Sequence, residues 1–440
     1  MNSPRQNDNL LHRRWLRLGA IGVTLFAMSC ASYTQETQNI RSNYFDGSYA
    51  VALKKLNESS LGSEDKNKLL YRLEKAMILD RMGDYAKSRS LLLEADKIAD
   101  DLYTTSITRT AASFIVSESS TDYSGENYEK VAIHTELALS YLATRDLDAA
   151  RVEARKINNK LAQINGGYED HKDRYGEDAF ARYLSGMIYE ARGEIDDAII
   201  DYTKALALYN GSFAQFVHGG PPDSLVVALY RLLAIRNRTD RMQQLQSQFP
   251  KLIARAKQDL QQDDSGEVIV IHELGHIAVK TSQEFILPFD RQVIRFSFPV
   301  IHVGYRSYFG QSGITDQSSQ RFVSADNTAD LNAIAQASLE DRRGRLIAKG
   351  AARLLAKGQL VDQAYRNFGP LAGIAANIFT AVTETADTRG WTLLPEAFAV
   401  SRIRLKPGKH TIKLQSGGRL SRIEEINLKK GEILLFRDVG

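Results

Sequence analysis

The sequence predicts a multidomain protein: an all-α solenoid of helical hairpins followed by an α+β domain. Two observations carry this. Turn-forming positions followed at fixed spacing by alanines and aromatics recur between residues 44 and 262. From about residue 263 the texture changes to β-branched and alternating runs around one long helical stretch. The composition allows both parts. The chain has 440 residues, 43% hydrophobic and 25% charged, which excludes a disordered chain and a multi-span membrane protein. One cysteine excludes an internal disulfide framework and any multi-cysteine metal site. A net charge of +4 is too small to argue for nucleic acid.

Residues 1–29 read as an export signal. Arg5, Arg13, Arg14 and Arg17 stand against one acid, Asp8, and Leu18–Met28 is largely apolar. As a helix that run rises only ~16 Å, too short for a hydrocarbon core of about 30 Å. Without residues 1–29 the chain keeps 53 basic and 52 acidic residues, so most of its positive excess belongs to this segment. The exit, Ala27-Met28-Ser29-Cys30, resembles the lipobox of bacterial lipoproteins, from which Met28 departs. The resemblance implies that Cys30 carries lipid. Ala31 in place of an aspartate implies the outer membrane, facing the periplasm. The other reading is an ordinary secretion signal with a buried cysteine. Residues 30–43 are polar and are expected to form a tether.

The repeat part spans 44–262. Tyr189 through Ala205 resembles the tetratricopeptide repeat (TPR), with Gly193 at the turn and Ala198, Tyr202 and Ala205 on the packing face. Gly186 and Tyr189 fit its first helix. A second copy has Gly83, Ser88, Leu92 and Ala95. A third has Tyr141, Ala150 and Ala154, with Arg145 where the turn glycine is expected. Tyr44–Ala50 reads as half a repeat and Pro222–Phe249 as a degenerate helix pair. Inserts at Thr105–Asn127 and Gly166–Asp173 interrupt the stack. Such hairpins cannot bury their apolar faces alone, so they stack into a curved solenoid. Its concave face is either a protein-binding surface or only part of a structural arm.

The second domain, 263–440, follows a break at Gln261–Gly266. Glu267–Ile271 reads as a buried strand and Gln292–Phe298 as an alternating one. Two hairpins are expected: Phe398–Leu405 with His410–Leu414 about a Pro407-Gly408 turn, and Glu425–Leu428 with Ile433–Phe436. A helical stretch is expected from about Asn327 to Thr385. Lys280, Leu287-Pro288, Asp387-Thr-Arg389-Gly-Trp391-Thr-Leu-Leu394-Pro395 and Lys406-Pro-Gly-Lys-His410 resemble a family of bacterial lipoproteins with an N-terminal TPR part and a C-terminal domain of undetermined function. That family supplies no established activity. Asp387, Arg389 and Trp391 together could bind a glycan or small polar ligand, or could pin a helix end to a sheet.

His272-Glu273-Leu274-Gly275-His276 satisfies H-E-x-x-H. On a helix, His272 and His276 would share Zn²⁺ and Glu273 would activate its water, making a metallohydrolase. The preceding Val268–Ile271 favours a strand instead, on which the two histidines would stand about 13 Å apart. No third histidine follows at the zincin spacing, and no Ser/His/Asp set is visible in the sequence. The expected function is therefore a lipid-anchored envelope scaffold with protein partners on its repeats, without cofactor, with the zinc hydrolase and a ligand-binding C-terminal domain as alternatives.

Overall fold

The computed structural model describes residues 33–108, 118–166, 175–217, 220–260, 265–289, 292–303, 312–368 and 386–439. The expected export signal, Cys30, parts of both inserts and residues 369–385 of the expected helical stretch lie outside the described residues.

Helices pair in chain order: α1 (Tyr33–Phe45) with α2 (Tyr49–Glu58), α3 (Lys68–Arg81) with α4 (Tyr85–Thr108), and α5 (Asn127–Ala143) with α6 (Leu147–Gly166). Then come α7 (Ala179–Ala191) with α8 (Ile195–Tyr209), α9 (Asp223–Ile235) with α10 (Thr239–Gln248), and α11 (Pro250–Leu260). Each turn holds one residue in the left-handed region: Gly47, Gly83, Arg145, Gly193 and Asn237, with φ between 52° and 82°. The turns share one hydrogen-bond pattern. Gly83 N donates to Asp80 O and Asp84 N to Leu79 O, both at 2.9 Å, and Gly193 and Glu194 repeat it on Glu190 and Tyr189. Arg145 adopts this conformation without being glycine, at a cost of about 1–2 kcal/mol. Its guanidinium lies 5.6 Å from the Phe436 ring centroid, a contact a glycine would lose. Gly186 answers a different need: a Cβ there would stand 2.3 Å from the Tyr202 ring.

Residues 33–43 correct the expected tether. They form most of α1, a helix that buries Tyr33, Thr37, Ile40 and, just beyond them, Tyr44. Four such positions at helical spacing make a stripe in an otherwise polar run.

The C-terminal domain contains β1 (Gly266–Leu274), β2 (Lys280–Phe289), β3 (Gln292–Ile301), β4 (Gly313–Asp316), β5 (Arg321–Ser324) and β6 (Asp326–Asp330). The helix α12 (Leu331–Phe368) and then β7 (Ala397–Leu405), β8 (Gly408–Ser416), β9 (Arg419–Leu428) and β10 (Ile433–Val439) follow. One sheet has the order β10-β1-β7-β6, a second β5-β4-β8-β9, and β2–β3 is a separate two-stranded ribbon. In the first sheet β1 runs parallel to β10 and antiparallel to β7.

Neither expected hairpin forms. β7 and β8 belong to different sheets, as do β9 and β10. Both edges of β7 are already taken by β1 and β6, so the Pro407-Gly408 turn carries the chain between layers. The true hairpin joins β8 and β9 through Gly417-Gly418, both at positive φ. Asn327 is likewise a strand residue, and the long helix begins at Leu331.

The first sheet is sandwiched. Strand alternation sends Ile269, Ile271, Phe398 and Val400 into the core shared with the helices. Val268, Val270, Ile403 and Phe436 enter a second core with Ile314, Ile412 and Leu414 of the second sheet. Every residue of β1 is buried, as its β-branched run predicts. The result is three layers: helical repeats, first sheet, second sheet. Among the described residues no helix is long and apolar enough to cross a membrane.

Candidate functional site

The first helices of the hairpins carry acids toward the C-terminal domain: Glu74 and Asp80 on α3, Glu129 and Glu136 on α5, Glu190 on α7, with Glu126 capping α5. All six are buried. Glu74 and Glu136 hold the same place before their turn residues, as do Asp80 and Glu190. This repeated acid inside apolar helices is a sequence signal that motif reading passes over.

The C-terminal domain answers with cations. Arg437 donates to Asp80 at 2.6 Å and Glu136 at 2.8 Å, and also to Glu273, which Arg81 pairs from α3. Arg402 donates to Glu190 at 2.8 Å, to both oxygens of Glu267 at 2.9 Å, and to the Tyr202 hydroxyl at 3.1 Å. Arg231 of α9 joins Glu190 and Glu267. Lys280 pairs with Glu126, which also accepts from Arg342 at 2.7 Å. Against the upward push of burial, Arg231 and Arg402 hold Glu267 well below the usual carboxylate range, and Arg437 and Arg81 hold Glu273 low. Glu136 goes the other way: burial and the neighbouring Glu273 charge push it up.

The irregular stretch 386–396, with a turn at Thr392-Leu393, lies along the same inner face. Glu74 accepts from Thr392 N and Oγ1, each at 2.8 Å, and from Leu393 N at 3.2 Å. Glu129 accepts from Trp391 N at 2.8 Å. Glu74 has only neutral hydrogen-bond donors (these and the Tyr33 hydroxyl), so burial pushes it up to about 7. Buried carboxylates of the repeats thus hold the backbone N–H groups of a segment of the same chain.

Asp387, Arg389 and Trp391 therefore come together, but against the repeats. Arg389 pairs with Asp387 at 2.7 Å and donates to Thr121 O at 2.9 Å and to Lys66 O and Asn67 at 3.3 Å. Trp391 is only 1% exposed. They pin a segment to the repeats rather than a helix end to a sheet, and present no open ligand surface.

The five letters His272–His276 do not form a helix. His272 and Glu273 are consecutive on β1, so they face opposite layers. Glu273 meets Arg81 and Arg437 on the repeat side. Gly275 turns the chain at φ +66°, and His276 stacks on Phe45 with ring centroids 3.6 Å apart. The shared-ion geometry is not met. Among the described residues no group of three His, Cys, Asp or Glu is placed to hold a metal.

His272 instead joins a set the sequence did not disclose. Its Nδ1 is 2.9 Å from Asp438 and its Nε2 is 2.8 Å from the Ser401 hydroxyl. The three stand on β1, β10 and β7, brought together by register alone. The order carboxylate–imidazole–hydroxyl is that of a hydrolytic triad. His272 and Ser401 have no exposed surface, however, so in this fold the set clamps three strands between two cores.

A cleft of about 480 Å³ opens where α1 and α2 meet the end of β1 and the β8–β9 turn. Tyr44, Phe45, Tyr49, His276 and Arg419 line it.

No protein-family model and no curated protein matches the chain. Among solved structures, a kinesin light chain of Podospora anserina with nearly identical TPR-like repeats aligns at 14% identity. It covers 51% of this chain and 95% of its own, with a TM-score of 0.31. BtubC from P. vanneervenii aligns at 14% identity, over 57% of this chain and 86% of its own, with a TM-score of 0.34. MamA of AMB-1 aligns at 14% identity, over 51% and 88%, with a TM-score of 0.29. The described residues form a run of helical hairpins followed by a sheet-containing C-terminal region.

Proposed function

We propose that this chain is a lipid-anchored scaffold of the bacterial cell envelope. Cys30 holds it to the outer membrane on the periplasmic side, and its repeats hold envelope proteins. TPR-like repeats typically serve protein interaction. The inner face is filled by the chain's own segment 386–396, so partners engage the outer one. The observation that carries this reading is an exposed aliphatic residue on the outer helix of four successive hairpins: Val51, Leu93, Val152 and Ile200, each at least 40% exposed. Val152 and Ile200 hold the same place relative to Arg145 and Gly193. The lipobox-like run at Ala27–Cys30 supports the anchor.

Crosslinking in intact cells followed by affinity capture tests the scaffold. The Val152→Asp/Ile200→Asp chain, folded by circular dichroism, should lose partners that the parent chain captures; an unchanged partner set sinks the outer-face reading. Cys30→Ser should abolish metabolic lipid labelling, and continued labelling refutes the anchor.

A further inference from the structure

The cleft at the end of β1 has no part in the scaffold reading. Its two walls come from different layers. Tyr44, Phe45, Tyr49 and Arg81 belong to the helical repeats. Glu273, His276, Ser416 and Arg419 belong to the C-terminal domain. At about 480 Å³ the cleft falls within the size range of small-ligand sites, about 300–1,000 Å³. Asp387, Arg389 and Trp391 are not among its lining residues.

One part of the lining is aromatic. Tyr44 packs edge-on against Phe45 and Tyr49, with ring centroids 5.0 and 5.6 Å apart. His276, stacked on Phe45, adds a fourth ring. The other part is polar and unpaired. Among the described residues, the Tyr49 and Ser416 hydroxyls, the His276 imidazole and the Arg419 guanidinium make no hydrogen bond or ion pair. Ser416 is buried, so the cleft is where its hydroxyl can find a partner. Burial and the Arg41 charge lower the pKa of His276, so at neutral pH its ring has one donor and one acceptor to give.

The charges do not balance. Arg81 and Glu273 pair with each other and cancel. Arg419, exposed beside the Gly417-Gly418 turn, is left over, so the lining carries a net positive charge. These features select among ligands. A flat apolar ring would cover the aromatic part and leave Tyr49, Ser416 and His276 desolvated without partners. A small inorganic anion would satisfy Arg419 and gain nothing from the rings. A sugar ring meets both demands: its C–H face lies against aromatic side chains, and its hydroxyls donate to and accept from the polar groups beside them. A carboxylate on that ring meets Arg419.

We propose that this cleft binds an acidic sugar, a pyranose ring carrying a carboxylate. The site depends neither on the lipid anchor nor on partners at the outer repeat face. Because its walls belong to both layers, the bound sugar also ties the first helical hairpin to the C-terminal domain.

The test is saturation-transfer difference NMR on the full chain in detergent solution. The probes are glucuronate, galacturonate and N-acetylmuramate, with glucose as the neutral ring and benzoate as the aromatic acid. At least one acidic sugar should receive saturation on its ring protons and bind more tightly than glucose or benzoate. Saturation of none of the three acidic sugars overturns the proposal, as does tighter binding of benzoate than of all three. Arg419→Gln alters an exposed side chain and should keep the fold by circular dichroism. It should weaken the acidic sugar about tenfold, the loss of one charge-assisted hydrogen bond, and leave the weaker glucose signal unchanged. Undiminished binding, or an equal loss for glucose, overturns the pairing of the carboxylate with Arg419. Tyr49→Phe removes one hydroxyl, keeps the ring, and should weaken acidic and neutral sugars alike by severalfold. If both this variant and His276→Ala bind as the parent chain does, the sugar lies elsewhere and the cleft assignment falls.

Discussion

The two faces of the first sheet use the same strands in opposite ways. Toward the repeats, β1, β7 and β10 present Glu267, Glu273, Arg402 and Arg437, all buried and all paired across the layer boundary. Toward the second sheet they present Val268, Val270, Ile403 and Phe436, with one polar set, Asp438–His272–Ser401, in their midst. The apolar face is non-directional and would tolerate several placements. The charged face has one arrangement in which each carboxylate meets its cation. Buried ion pairs add little net stability, because desolvation offsets attraction, but leaving one partner alone is costly. The comparison teaches a division of labour: apolar burial holds the C-terminal domain together, and charge fixes how it sits on the repeats.

Arg437→Ala should break this division most severely. It leaves Glu136 without its arginine and Asp80 and Glu273 to share Arg81, and an uncompensated buried charge costs about 3–5 kcal/mol. Urea unfolding measures it, and a loss below about 1 kcal/mol would mean water already enters the layer boundary.

Glu74→Gln sharpens the contrast between paired and unpaired acids. The folded-state pKa of Glu74, about 7, lies above its unfolded value. Its contribution is therefore fully present below the unfolded pKa and is lost as pH rises toward 7. Relative to Glu74→Gln, the parent chain should lose about 3 kcal/mol across that interval. Glu267 and Glu273, held low by arginines, act in the opposite sense: their stability is present above the unfolded pKa and lost as pH falls. Stability curves for the two chains from pH 4 to 8 test the sign; a constant difference would show that Glu74 does not titrate there.

Smaller effects belong to the other face. Ser401→Ala leaves a buried His272 nitrogen without its hydroxyl and should cost about 1–3 kcal/mol. Ile403→Val removes one methylene from a fully buried site and should cost about 0.5–1.5 kcal/mol. Thermal unfolding separates the two, and reversal of that order would make the polar set incidental.

Much of the architecture is legible in the sequence because its signals are local. Gly83 and Gly193 mark turns by φ, Ala198 and Tyr202 mark packing by helical spacing, and the β-branched run at 268–271 marks a strand buried on both faces. Even Arg145 stands at the turn position its neighbours predict. The misreadings arose where a local pattern had more than one long-range completion. Pro407-Gly408 is a good turn whether its strands pair or part. The H-E-x-x-H letters fit a helix only if the backbone is one. Four buried positions in Tyr33–Tyr44 were too few to outweigh a polar composition.

By itself, then, the sequence determined where the repeats turn, that 268–271 is a buried strand, and where the texture changes. Only the tertiary structure decided that the inner repeat face is filled from within. Only register across β10, β1 and β7 could place Ser401, His272 and Asp438 in one line. The physical reason is common to both. A buried charge or hydrogen bond is specified by its partner, and these partners lie from 129 to 357 residues apart in the chain, beyond the reach of any local periodicity.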